Sequence, residues 1–192
     1  MKIIGITGGT GAGKSELSAK LGQLGATVVD SDLISHRISK KGGAAFDEIV
    51  TSFGTDILDK TGEIDRKRLG KIVFENPDKL ELLEKITHKH IFERMQQEIE
   101  ACDTDAVVLD VPLLFQCNFP IKCDLTVAVI ADEETRIKRI MNRDGITKDA
   151  AVARIKNQLS NDEYKALADV CFENNGGPEE IEKFARRLLG KL

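Results

Sequence analysis

The chain has 192 residues, 41% apolar and 31% charged, a composition that suits one compact core with an insertion better than several independent domains. Twenty-eight Lys and Arg against 32 Asp and Glu give a net charge of −4, so no broad positive field exists to hold nucleic acid without sequence preference. Four separated cysteines, Cys102, Cys117, Cys123 and Cys171, have neither zinc-ligand nor disulfide-framework spacing, and they read as free thiols of a reducing cytosol.

The first predicted strand is Lys2–Thr7, an apolar run ended by Gly8 and Gly9. It is far too short to span a membrane and lacks a signal-cleavage pattern, which predicts a soluble, cytoplasmic protein with no membrane partner. Gly8-Gly9-Thr10-Gly11-Ala12-Gly13-Lys14-Ser15 then fits G-x-x-x-x-G-K-[ST], after a strand and before a helix. Glycines let the backbone turn successive N–H groups toward phosphates, and Lys14 adds a point charge for the β- and γ-phosphates. The Ser15 hydroxyl is a ligand for Mg²⁺, and the helix N-terminus adds its partial positive charge. A glycine-rich turn that ended in Lys-Ser by chance would need that strand and helix context by chance as well. The helix carries Leu17, Leu21 and Leu24 on one face and stops at Gly25.

The second strand, Thr27–Asp30, leads into Ser31 and Asp32. Ligands of open α/β sheets bind at the carboxyl ends of the strands, so Asp30 and Asp32 either cap the next helix or present a carboxylate to the γ-phosphate. The functional reading is favoured for Asp32. About 70 residues of helical spacing follow, with Asn76-Pro77 as an N-cap and a proline at the first helical position. His88 and His90 stand two apart and diverge on a helix, which argues against a metal pair.

The third and fourth strands, Ala106–Val111 and Leu125–Ala131, are apolar at consecutive positions, as strands covered on both faces are. Asp110 runs straight into Val111-Pro112-Leu113-Leu114, unlike the acidic pair of an ATPase motor. The guanine-reading Asn-Lys-x-Asp of a GTPase is missing from the sequence. Asp59-Lys60-Thr61-Gly62 matches only the weaker D-x-x-G and falls in the helical insertion. Arg136, Arg139 and Arg143 share a helical face; such a stripe is either solvated or, beside a phosphate loop, aimed at phosphates. The last strand is Val170–Phe172, and Asn174-Asn175-Gly176 after it is either an adenine-reading edge or an ordinary turn. The fold class expected is α/β: a parallel-sheet P-loop core flanked by helices. The core takes 1–32, 104–131 and 168–192, with a helical insertion at about 33–103 and a helical lid at about 132–167.

With these strings in order, the chain resembles the dephospho-CoA kinase family along nearly its whole length. The matching residues are 5–15, Val29–Asp32, Phe53-Gly54, Gly62–Arg66, Leu69, Val73-Phe74, His88, Pro112–Phe115, Arg139, Arg143, Gln158, Ala168-Asp169 and Asn174–Gly176. The resemblance implies Mg²⁺-ATP as phosphoryl donor and dephospho-CoA as acceptor, phosphorylated at its ribose 3′-hydroxyl. It implies catalytic roles for Asp32, Lys14 and Arg139, and ATP contacts from Gly11, Ala12, Gly13, Lys14, Ser15, Glu16, Arg143 and Asn175. Arg66, His88, Pro112, Leu113 and Phe115 are implied on the acceptor side; His88 either enters the acceptor pocket or packs its helix, and Pro112 and Phe115 are either pocket walls or core. The expected assembly is a monomer or a weak homo-oligomer. Glu16, His36, Lys89, Gln116 and Arg136 depart from the family pattern. A related small-molecule kinase with another acceptor, or a non-catalytic ATP switch, shares the core and is separated by an acceptor panel.

Overall fold

The computed structural model describes residues 1–190, which fall into two compact units, Met1–Asp30 with residues 102–190 and, separately, Ser31–Ala101. In the first unit, β1 (Lys2–Gly8), β2 (Thr27–Asp30), β3 (Ala106–Asp110), β4 (Leu125–Ile130) and β5 (Val170–Glu173) form one sheet in the order β2-β3-β1-β4-β5. All four pairings are parallel. The connection leaving β1 runs toward β2 at one edge and that leaving β4 toward β5 at the other, which opens a crevice at the carboxyl ends of these central strands.

Consecutive apolar residues in the strands bury both faces. Val127 and Val129 of β4 join a cluster with Leu17 and Leu21 of α1 (Lys14–Gln23) and Phe184 and Leu188 of α9 (Pro178–Leu189). Ala128 and Ile130, pointing the other way, pack with Tyr164 of α8 (Asn161–Leu167) and with Phe115. The period of two is present in space although every position is apolar. Two aspartates tie strand starts together: Asp124 Oδ2 accepts from the Ile3 amide at 2.8 Å, and Asp169 Oδ2 from the Thr126 amide at 2.8 Å and its hydroxyl at 2.7 Å.

The second unit is helical, as the sequence predicts: α2 (Ser31–Ile38), α3 (Phe46–Phe53), α4 (Arg66–Phe74) and α5 (Pro77–Glu100). Asn76 caps α5 by accepting from the Lys79 amide at 3.2 Å, with Pro77 in the first turn. Asp65 caps α4 through the amides of Lys67 and Arg68. The D-x-x-G string is a turn: Asp59 Oδ1 accepts from the Thr61 amide and hydroxyl, and Gly62 sits at φ 81°. His90 is hydrogen-bonded to Glu48 at 2.9 Å, while His88 lies against Phe92.

Candidate active site

Residues between β1 and α1 wrap into a loop whose glycines are required by position. Gly11 and Gly13 have φ of 76° and 98°, and a Cβ on Gly11 would stand 2.8 Å from the Arg136 carbonyl oxygen. The space of a Cβ on Gly13 holds the Asn174 amide nitrogen. Gly13 is also the N-cap of α1, so Lys14 and Ser15 occupy the first turn, where the helix dipole favours an anion. Ala12 is buried, while Ser15 and Glu16 are exposed.

Lys14 Nζ forms an ion pair with Asp110, the last residue of β3. One helical turn on, Ser18 Oγ donates to the other oxygen of the same carboxylate at 2.6 Å. Asp110 is 2% exposed, so its charge is matched by a lysine and a hydroxyl, as a buried carboxylate requires.

The arginines come from α6 (Glu133–Asp144), whose other face carries Ile137 and Ile140 into a cluster with Ala151 of α7 (Lys148–Lys156). Arg136 is only 3% exposed. Its Nε donates to the Thr10 carbonyl at 3.0 Å and its Nη2 to Gln158 Oε1 at 3.2 Å, and the same Oε1 accepts from the Thr10 amide at 2.7 Å. Arg139 Nη1 donates to the carbonyls of Gly11, Ala12 and Asn174 at 3.4, 3.3 and 3.0 Å. All three bonds use one nitrogen, and Arg139 Nε and Nη2 have no partner among the described residues. Arg143 grips Asp144 with Nε and Nη2 at 2.7 and 3.1 Å, which holds the Asp144 carboxyl below the usual range and raises the guanidinium. Its Nη2 also reaches the Thr10 hydroxyl at 3.4 Å.

Of the two asparagines, Asn174 is buried and donates to the Ala12 carbonyl at 2.8 Å, while its Oδ1 has no partner among the described residues. Asn175 is exposed, and its Oδ1 accepts from the Asp132 amide at 2.8 Å, as a turn residue does. After β3, the Pro112 carbonyl accepts from the Thr7 hydroxyl at 2.9 Å, Leu113 is exposed, and the Phe115 ring faces Tyr164 with centroids 6.5 Å apart. Phe115 therefore packs on the core cluster beside β4.

The helical unit holds its own cavity of about 670 Å³. Leu69, Val73, Leu80 and Leu83 give it apolar walls, while His36, Lys40 and Arg66 bring polar and cationic groups. Arg66 Nη1 meets His36 Nε2 at 3.1 Å. His88 does not line this cavity. Asp32 stands exposed in the first turn of α2, two residues beyond the end of β2.

Sequence reasoning thus brings Gly11–Ser15, Arg139 and Arg143 to one loop, and it undervalues Asp110, Arg136, Asn174 and Thr10. A carboxylate closing an all-apolar strand was the available signal for Asp110; Arg136 and Asn174 meet the loop from more than 120 positions away, and the part Thr10 plays in it depends on Arg136.

The dephospho-CoA kinase (CoaE) family model matches residues 2–180. A dephospho-CoA kinase of Fusobacterium nucleatum is 44% identical over 187 residues, covering 97% of this chain and 96% of that protein. One from Carboxydothermus hydrogenoformans is 38% identical over 194 residues, covering 100% and 94%. A crystal structure from Thermus thermophilus superposes with a TM-score of 0.87 at 30% identity, covering 100% of this chain and 97% of that one.

Proposed function

The chain belongs to the dephospho-CoA kinase family, and on that premise we propose how its residues move the γ-phosphoryl group of ATP to the ribose 3′-hydroxyl of dephospho-CoA, the step that completes CoA. The observation that carries this reading is the loop at the carboxyl end of β1, with amides and Lys14 on one side and arginines bonded to its carbonyls.

The loop Gly11–Ser15 holds the ATP phosphates, and Lys14, aimed by its bond to Asp110, offsets charge on the β- and γ-phosphates. Arg139, with two unspent nitrogens, and the exposed Arg143 supply further cationic contacts to the transferring group. Glu16 lies exposed in the first turn, with a carboxylate oxygen 3.4 Å from where a Cβ on Gly13 would stand, and is assigned to the nucleotide side. Asn175 is assigned to the nucleotide as well, through the amide nitrogen left after its oxygen caps Asp132. Mg²⁺ would be held by the Ser15 hydroxyl, exposed in the first turn of α1, and would neutralise phosphate charge there.

Asp32 orients the acceptor hydroxyl and takes its proton as the bond to phosphorus forms, while the bond to the leaving ADP oxygen breaks. The cavity of the helical unit suits an acceptor that is part aliphatic and part anionic: leucines wall it, and Arg66 stands at its polar side. His88, Pro112, exposed Leu113 and Phe115 are assigned to the acceptor in this proposal as well, none of them as a wall of this cavity. The residues of α6, α7 and α8 act as the lid. We place the protein in the cytoplasm as a monomer or weak homo-oligomer; no helix among the described residues is long and apolar enough to cross a membrane.

Incubation with Mg²⁺-ATP and separate acceptors tests the assignment. Chromatography is expected to show CoA formed from dephospho-CoA well above any product from AMP or shikimate. Equal turnover with either competitor sinks it.

A further inference from the structure

Arg136 is buried with its charge unmatched. Its hydrogen-bond acceptors, the Thr10 carbonyl and Gln158 Oε1, are neutral, and no carboxylate lies within ion-pair distance of it among the described residues. Glu133 and Tyr164 act on it only through space, and burial pulls the guanidinium below its ordinary pKa, though it stays charged. Buried arginine normally has a carboxylate beside it, because an unpaired charge away from water is strongly disfavoured. Here the guanidinium occupies the space that a Cβ on Gly9 would take, directly against the phosphate loop.

We propose that Arg136 is a positioning residue for the nucleotide, whose buried charge is completed by the polyphosphate of ATP and whose bond to Thr10 sets the loop's orientation. This rests on the loop being the ATP site. Thr10 is fixed through both of its flanking peptides, by Gln158 at its amide and by Arg136 at its carbonyl. The Thr10 carbonyl shares its peptide group with the Gly11 amide, so donation from the guanidinium polarises that N–H toward a phosphate. Gln158, just past α7, makes the loop's geometry depend on the end of that helix. The two contributions, shape and charge, are separable by substitution.

Gln158→Glu keeps an oxygen acceptor for both bonds and gives Arg136 a carboxylate partner. A latch of shape alone is strengthened by this change, whereas a charge meant for phosphate is neutralised. Calorimetric titration of the full-length protein with ATP and ADP is expected to show ATP Kd raised about tenfold and ADP Kd about threefold, an effect that scales with ligand charge. Its Tm should stand at or above the parental value. Arg136→Met should give the same ranking of ATP over ADP with a lower Tm, and its ratio decides the matter if the glutamate variant does not fold. Parental ATP affinity in Gln158→Glu, or equal weakening of ATP and ADP in either variant, overturns the proposal. Parent protein that binds no ATP removes the function reading together with this one, while normal parental binding and unchanged variants remove this one alone.

Discussion

Two carboxylates have distinct surroundings. Asp110 is buried and spent on Lys14 and Ser18, whereas Asp32 is exposed at the start of α2. A carboxylate, with a reference pKa of about 3.9, cannot ionise an alcohol in the ground state. Phosphoryl transfer goes through a loose transition state in which the nucleophile's proton becomes acidic late, so placement of the acceptor oxygen counts for more than basicity. Asp32→Asn keeps the shape and one acceptor atom while removing the charge. Its kcat should fall by at least about a hundredfold, with KM for dephospho-CoA little changed, because the interaction matters mainly in the transition state. Steady-state kinetics with both substrates varied checks this; near-parental kcat makes Asp32 a helix cap and moves the role to Asp110.

At the scale of elements, strands and helix starts were legible because their causes are local. Val107-Val108-Leu109 is apolar at successive positions and forms β3, buried throughout, and Asn76-Pro77 opens α5 as cap chemistry requires. The phosphate loop was legible because its glycines, lysine and serine keep a fixed spacing between a strand and a helix. What Arg136 does was hidden, since helical spacing puts it on the same polar stripe as Arg139 and Arg143 and only packing decides which of the three is buried. Asn174 was read as an edge for adenine or a turn, and its burial against Ala12 depends on how β5 returns to the loop. The loop's rigidity is open to a paired test. Gly13 and Gly25 have φ of 98° and 103°, yet a Cβ has nothing within 4 Å at Gly25 and meets the Asn174 amide at Gly13. Gly25→Ala should lose about 1 kcal/mol in urea unfolding from backbone strain alone. Gly13→Ala should lose more and also weaken ATP binding; equal losses in the two variants remove the role given to Asn174.

At the scale of the whole molecule, several carboxyl groups among the described residues lie below their ordinary values. The hydrogen bond from His90 lowers Glu48, Thr126 lowers Asp169, the Ile3 amide lowers Asp124, Ser160 lowers Glu163, and Arg143 lowers Asp144. Each therefore binds fewer protons folded than unfolded as pH drops through the carboxylate range, and stability rises with pH there. The contribution is fully present above the unfolded values, near 3.9 for Asp and 4.3 for Glu, and is lost as pH falls through the lower folded ones. Asp169 is the member whose loss reaches the sheet, because it ties the start of β4 to the residue before β5 through both the amide and hydroxyl of Thr126. Thermal unfolding from pH 7 to pH 3 should show a Tm that is level above about pH 5 and falls steeply below about pH 4. Asp169→Asn should have a lower Tm at pH 7 and a smaller fall on acidification, so that the two curves converge at low pH. Parallel curves would show that the Asp169 carboxylate is not among the groups whose protonation unfolds the protein.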